Sequence, residues 1–252
     1  MSLRIENLSV SHGAHSVIRG VTDLWSSGQV TALIGCNGAG KSTFLQALAG
    51  LLPAQGHLVL DDVRLSPDQR RSQIAYMPQD TSAHSSLTVL EVVLLGRLGR
   101  LGLRLPADLV EDAQQMLATF NLSALQARQL DEISGGQRQL VFLAQALFRK
   151  PRVLLLDEPT AALDLRHQLI VLEKLRQVAA QEGTIIGVAM HDLNLAAQYA
   201  DRMIGLGGGH KVSAGAPGAV LTPDTLRNMY AIEAEVSVQR GGRLSVFPLR
   251  PE

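Results

Sequence analysis

The stretch Val30-Thr31-Ala32-Leu33-Ile34-Gly35-Cys36-Asn37-Gly38-Ala39-Gly40-Lys41-Ser42-Thr43 decides the fold. Its first five residues are apolar or β-branched on both faces, the pattern of a strand buried from two sides. The next eight fit G-x-x-x-x-G-K-[ST], and the apolar spacing from Ala39 to Ala49 predicts a helix directly after them. Strand, glycine loop and helix in that order form a phosphate cradle. The glycines let backbone N–H groups close around phosphate oxygens, and the helix start adds the positive end of its dipole. Asn37, Gly38, Ala39 and Gly40 supply that backbone. Lys41 is placed for the β- and γ-phosphates, the Ser42 hydroxyl for Mg²⁺, and Thr43 for the α-phosphate.

Three further runs share the doubly buried character: Ile74–Met77, Val153–Leu156 and Thr184–Met190. Helical spacing lies between some of them, with Leu169, Leu172, Leu175 and Val178 on one face of a helix before the last run. This alternation predicts an α/β fold. The middle of the chain differs. Leu109, Ala113, Met116, Leu117 and Phe120 repeat at helix spacing, and so do Leu140, Ala144, Leu147 and Phe148. Pro106 and Asp108 read as a helix start. A helical subdomain is therefore expected over residues 85–150, inserted into a core made of 1–84 and 151–252 within one 252-residue domain. The first 30 and last 40 residues read as short strands and turns, with Gly207-Gly208-Gly209 and Gly241-Gly242 at loops or hairpins.

The strand ends gather the chemistry. Val153–Leu156 runs into Asp157-Glu158. Phosphoryl transfer needs a carboxylate near Mg²⁺ and a group that positions or activates water. Asp157 suits the first role and Glu158 the second, although an acid after an apolar strand reads equally well as a polar turn. Gln79 follows another strand and His191 a third. Lys41, Gln79, Glu158 and His191 thus fall just past the carboxyl ends of expected strands, where open α/β sheets hold ligands. Ile133-Ser134-Gly135-Gly136-Gln137 precedes an expected helix, Gln137–Arg149, and forms a second anion grip. One nucleotide needs only one phosphate loop, so a second grip suggests two chains closing around shared nucleotide.

Composition narrows the classes. Hydrophobic residues make up 46%, enough for a packed core. Lys plus Arg (23) equals Asp plus Glu (23) and aromatics are only 4%, which argues against a nucleic-acid partner. Cys36 is the one cysteine, so no intrachain disulfide forms, in keeping with a reducing compartment. Met1–Asn7 does not read as a signal region, and no run approaches the roughly 20 apolar residues that cross a bilayer. Any membrane role is expected to come through a partner.

Gly35–Ser42, Gln79, Ser134–Gln137, Asp157–Glu158, Ala161-Ala162-Leu163-Asp164 and His191 together resemble the ordered motif set of ABC ATPases. These correspond to the Walker A, Q-loop, signature, Walker B, D-loop and switch-histidine motifs, and the resemblance spans essentially the whole chain. It implies a P-loop NTPase (RecA-like) core with an N-terminal antiparallel β subdomain and an inserted helical subdomain. It implies ATP and Mg²⁺ as cofactors, with Ser42, Gln79 and Asp157 at the metal. It implies a head-to-tail homodimer in which Ser134 and Gly136, with Gly135 and Gln137 beside them, act across on the γ-phosphate. Glu158 becomes the general base, and Lys41, Gln79 and His191 complete the catalytic set. Asp164 would link the two sites, and Gln79 would link nucleotide to membrane subunits.

Two positions depart from the family pattern. Cys36 stands where proline is usual. His12, in Ser11-His12-Gly13, stands where an aromatic residue stacks on adenine, and imidazole stacks more weakly. Leu87–Arg97, Ser134–Leu147, His191–Ala197 and Leu221-Thr222-Pro223 resemble importers of iron–siderophore, haem and cobalamin. That likeness implies integral membrane permease subunits, a substrate-binding protein upstream, and a peripheral place on the cytoplasmic face of the inner membrane. An ABC exporter or another metal importer stays open as an alternative. A GTPase is disfavoured, because no guanine-reading Asn-Lys-x-Asp motif is present.

Overall fold

The computed structural model describes residues 1–13, 15–81, 85–97, 106–239 and 241–251. β1 (Ser2–His12) and β2 (His15–Ser26) pair antiparallel, with Leu3 opposite Trp25. β3 (Val30–Ile34) is buried at all five positions, and the glycine loop carries the chain from it into α1 (Lys41–Leu48). β4 (Gln55–Leu60) and β5 (Val63–Arg64) then complete a four-stranded sheet of order β2-β1-β4-β5. α2 (Pro67–Gln73) starts on a reciprocal cap between Ser66 and Gln69 and leads into β6 (Ile74–Met77).

The middle of the chain is helical. It contains α3 (Val89–Leu95), α4 (Ala107–Thr119) and α5 (Gly135–Phe148), with short 3-10 turns at Ser123–Leu125 and Leu130–Glu132. The α/β alternation then resumes through β7 (Val153–Asp157), α6 (Leu165–Glu182), β8 (Ile185–Ala189), α7 (Leu193–Tyr199) and β9 (Arg202–Gly207). β10 (His210–Gly215), α8 (Pro217–Val220), α9 (Pro223–Tyr230) and a hairpin of β11 (Ile232–Val238) and β12 (Leu244–Pro251) close the chain.

The second sheet has the order β10-β9-β3-β8-β7-β6. β9, β3, β8, β7 and β6 run parallel, and β10 is an antiparallel edge. Each face of this sheet meets a different core. One core joins β1, β2, β4 and α1 around Trp25 and Phe44, whose rings lie 6.4 Å apart. The other joins the sheet to α3, α5, α6, α7 and α9. Burial of such large side chains contributes about 1.5–3 kcal/mol each. A packed layer on both sides explains why the parallel strands read as continuous apolar runs.

Several boundaries differ from expectation for local reasons. α1 begins at Lys41 rather than Ala39, because Gly38 (φ 79°) and Gly40 (φ 97°) hold the loop in the left-handed region. α5 begins at Gly135 rather than Gln137, because Ser134 accepts from Gln137 N while the Gln137 side chain accepts from Ser134 N. Leu169 does not face the core. It is exposed, and Val171 is buried in its place. Residues 82–84, at the expected boundary before the helical region, lie outside the described residues, as do 98–105 within it.

Candidate functional site

Sheet register places the chemistry at one level. Leu33 pairs with Ala189, Asp157 with Ala189, and Met77 with Leu156. Two residues past the paired positions stand Gly35, His191, Gln79 and Glu158. Parallel strands all point their carboxyl ends the same way, so four separate loops emerge side by side. The result is a cleft of about 410 Å³ lined by Val17, Asn37, Gly38, Gly40, Lys41, Ser42, Thr43, Gln79, Glu158 and His191.

The loop itself needs its glycines. A Cβ on Gly35 would meet Leu206 O at 2.4 Å, and one on Gly40 would meet Ile18 Cδ1 at 2.6 Å. Lys41 is buried, and its Nζ donates to Gly35 O (2.8 Å) and Cys36 O (3.2 Å). Desolvation lowers its pKa, opposed by the charges of Glu158, Cys36 and Asp157. A phosphate arriving here restores a counter-charge to a lysine that burial disfavours.

Asp157 ends β7 and is almost fully buried. Burial raises its carboxyl pKa, Glu158 pushes it further, and the Ser42 and Tyr76 hydroxyls and Lys41 pull it back. Its Oδ2 accepts from the Tyr76 hydroxyl (3.2 Å), while Oδ1 is buried with no partner among the described residues. An orphaned carboxylate oxygen beside a serine hydroxyl fits Mg²⁺, which takes one or two protein oxygens and leaves its other positions to phosphate and water.

Glu158 sits next along the chain with φ 51°, a left-handed conformation that costs a non-glycine residue of order 1–3 kcal/mol. Its carboxylate accepts from Gln79 Nε2 (2.6 Å) and meets His191 Nε2. His191 is half-exposed at the cleft rim, and Asp192 after it caps α7 by accepting from Asn194 N and Leu195 N. A carboxylate, an amide and an imidazole therefore face one another where a terminal phosphate would stand over Lys41.

Not every expected site residue joins this cleft. Ser134, Gly135, Gly136 and Gln137 form the start of α5 and are absent from its lining. Gly136 instead faces the loop after Glu158, where an added Cβ would lie 3.1 Å from Ala162 O. Asp164 caps α6 and pairs with His167 Nδ1 at 2.9 Å. His12 is exposed at the β1–β2 hairpin end, opposite His15, and also lies outside the lining.

Other residues at the site carry no motif. Gln139 of α5 is 2% exposed; its Nε2 donates to Glu158 O (3.0 Å) and its Oε1 accepts from Ala162 N (3.3 Å). A polar residue inside the apolar stripe of α5 was the available signal. Tyr76 follows the alternation of β6 and is hidden by it. Burial pushes its phenol up to about 12, which keeps the proton on the hydroxyl. Tyr230 of α9 reaches Gly35, its phenol also pushed up to about 12 by burial.

Residues 19–161 match the ABC transporter family. This chain belongs to that family. It is 40% identical to a hemin import ATP-binding protein of Jannaschia sp. (strain CCS1), over 95% of this chain and 91% of that one. It is 38% identical to a cobalamin import ATP-binding protein of Halobacterium salinarum, over 99% of this chain and 64% of that longer protein. Among solved structures, an inward-facing metal-chelate type ABC transporter superposes with a TM-score of 0.84 at 28% identity, covering 99% of this chain and 98% of that one. The chain is thus the ATPase subunit of an ABC importer, working with membrane permease subunits and therefore membrane-associated. No helix among the described residues is long and apolar enough to cross a membrane itself.

Proposed function

We propose that this ATPase powers uptake of a large metal chelate of the hemin, ferric-siderophore or cobalamin kind, as a homodimer that closes around two Mg-ATP. The carrying observation is the convergence of Lys41, Ser42, Gln79, Glu158 and His191 on one cleft from four loops. In this reading Asn37–Thr43 cradle the phosphates and Lys41 neutralises their charge. Ser42, Asp157 and the Gln79 amide oxygen hold Mg²⁺, which supplies charge neutralisation at the transferring phosphoryl group. Glu158 accepts the proton of the attacking water, and His191 holds the γ-phosphate.

The second grip, Ser134–Gln137, belongs to the partner's nucleotide. Its backbone N–H groups open a helix, and none of its residues lines the chain's own phosphate cleft. Asp164, two residues after Ala162, which faces Gly136, then passes the state of one site to the other. His12 offers adenine a smaller face than a phenol ring would. Residues 85–150 act as an arm that carries the signature toward the partner.

A second cleft, of about 600 Å³, lies between the sheet and the helical region, lined by Met77, Pro78, Leu95, Phe142, Ala146 and Arg149 among others. Its lining runs to Pro78, next to Gln79, which makes it the seat for a permease segment on the cytoplasmic face of the membrane. Relatives named for hemin and cobalamin import support the cargo class, and a substrate-binding protein would deliver it. Uptake of labelled hemin, ferric siderophore and cobalamin, compared between native cells and cells carrying Lys41→Ala, tests this. Selective loss of one uptake is expected. Unchanged uptake of all three would overturn the cargo assignment.

A further inference from the structure

We propose that Tyr76 is the positioning residue that fixes Asp157 in its metal-facing orientation, with Gln46 setting the direction of the Tyr76 hydroxyl. The proposal rests on the placement of Mg²⁺ at Ser42 and Asp157 given above.

A carboxylate has two equivalent oxygens, and rotation about its last bond exchanges them. At Asp157 the two oxygens are treated differently. Oδ2 accepts from the Tyr76 hydroxyl at 3.2 Å, whereas Oδ1 is buried with no well-formed hydrogen bond, the Ser42 hydroxyl being near enough to pull the carboxyl's pKa down. The tyrosine hydroxyl has one proton to give. Gln46 Nε2 donates to the hydroxyl oxygen at 3.3 Å, so the remaining proton is directed to Asp157. The three residues form a short chain of hydrogen bonds with a defined polarity, from amide to phenol to carboxylate.

The fold explains why these three meet. Tyr76 pairs with Leu155, and Asp157 is two residues further along the neighbouring strand, so both side chains stand on the same sheet face. That face is covered by α1. Gln46 lies four residues after Ser42, hence on the same side of the helix. The chain therefore ties the phosphate-loop helix, β6 and β7 together behind the metal position. The alternate residues of β6, Ala75 and Met77, belong to the opposite core and border the larger cleft. Tyr76 lines that cleft as well, which gives displacement in the cleft a direct route to Asp157.

Outer partners of metal ligands typically change metal affinity by about 10–100-fold. The test titrates Mn²⁺ into the full chain holding ADP, read by electron paramagnetic resonance, for native, Tyr76→Phe, Gln46→Leu and Asp157→Asn proteins. Tyr76→Phe keeps the ring and removes only the hydroxyl. Its Mn²⁺ dissociation constant is expected to rise about 10-fold. ADP affinity in EDTA should stay at its native value, which a disordered phosphate loop would not allow, while the metal-free melting temperature falls by a few degrees because the buried Asp157 Oδ2 loses its donor. Raising Mg²⁺ should restore ATPase turnover in the variant. Gln46→Leu should shift the constant in the same direction by less, and it serves as the readout if Tyr76→Phe fails to fold. An unchanged Mn²⁺ constant in Tyr76→Phe, alongside a lost site in Asp157→Asn, would overturn the positioning role. Retention of the site in Asp157→Asn would instead overturn the metal assignment beneath it.

Discussion

Gln139→Leu removes a brace from Glu158, the residue proposed above to accept the proton of the attacking water. Gln139 is 2% exposed and bonds twice, to Glu158 O at 3.0 Å and from Ala162 N at 3.3 Å. Leucine fills similar volume but offers neither donor nor acceptor. Ala162 is exposed, so water can replace the lost acceptor there. Glu158 is buried, and its carbonyl keeps only the longer bond from Ala161 N, at 3.2 Å. Losing one of the two hydrogen bonds to this carbonyl costs about 0.5–1.5 kcal/mol. For a chain of this size, each kcal/mol lowers the melting temperature by about 2–4 °C, so a drop of about 1–6 °C is expected. The functional effect should be larger than the thermal one. Glu158 holds φ 51°, and without the brace that strain can relax by moving its carboxylate. A displacement of about 1 Å costs on the order of 100-fold in rate. Scanning calorimetry and steady-state ATPase assays on the purified chain measure both effects. Native melting together with native turnover would refute the claim that Gln139 holds Glu158 in place.

Gly187→Ala would put a Cβ 2.3 Å from Trp25 Cζ3. Overpacking of this kind costs about 1–3 kcal/mol, so the melting temperature should fall by several degrees, and the emission of the single tryptophan should shift. Lys41→Ala removes the phosphate-facing charge, and ATP affinity by fluorescence titration should weaken by about 10-fold or more. Asp157→Asn should stabilise the metal-free chain at neutral pH, read by melting in EDTA. Burial raises the Asp157 pKa above its ordinary 3.8, so between 3.8 and the raised value the folded chain binds more protons than the unfolded one. Stability from this group is present below 3.8, falls as pH rises through that window, and is fully lost above it, where the asparagine carries no such penalty.

The parallel strands were legible because burial on both faces leaves little room for polar residues. The motif residues were legible because phosphate chemistry restricts which side chains can follow each strand. The strand order was not. Nothing in the run Ile185–Ala189 says that β8 lies between β3 and β7, although that placement brings His191 beside Glu158. Tyr76 and Gln139 were hidden for a related reason. Each sits within an apolar pattern and acts through polar atoms whose partners are fixed only by the placement of distant segments. Leu169 shows the opposite failure, since helical spacing marks a face without saying how wide the buried stripe is.

In the proposed mechanism Glu158 drives hydrolysis within a nucleotide-closed pair of chains. Light scattering of Glu158→Gln with and without Mg-ATP tests this most directly. The variant should bind ATP, fail to hydrolyse it, and move from 27.1 kDa to twice that mass when Mg-ATP is added. A hydrolysis-dead variant that stays at the monomer mass under saturating Mg-ATP would contradict the shared site, and full native turnover in the variant would contradict the role of Glu158.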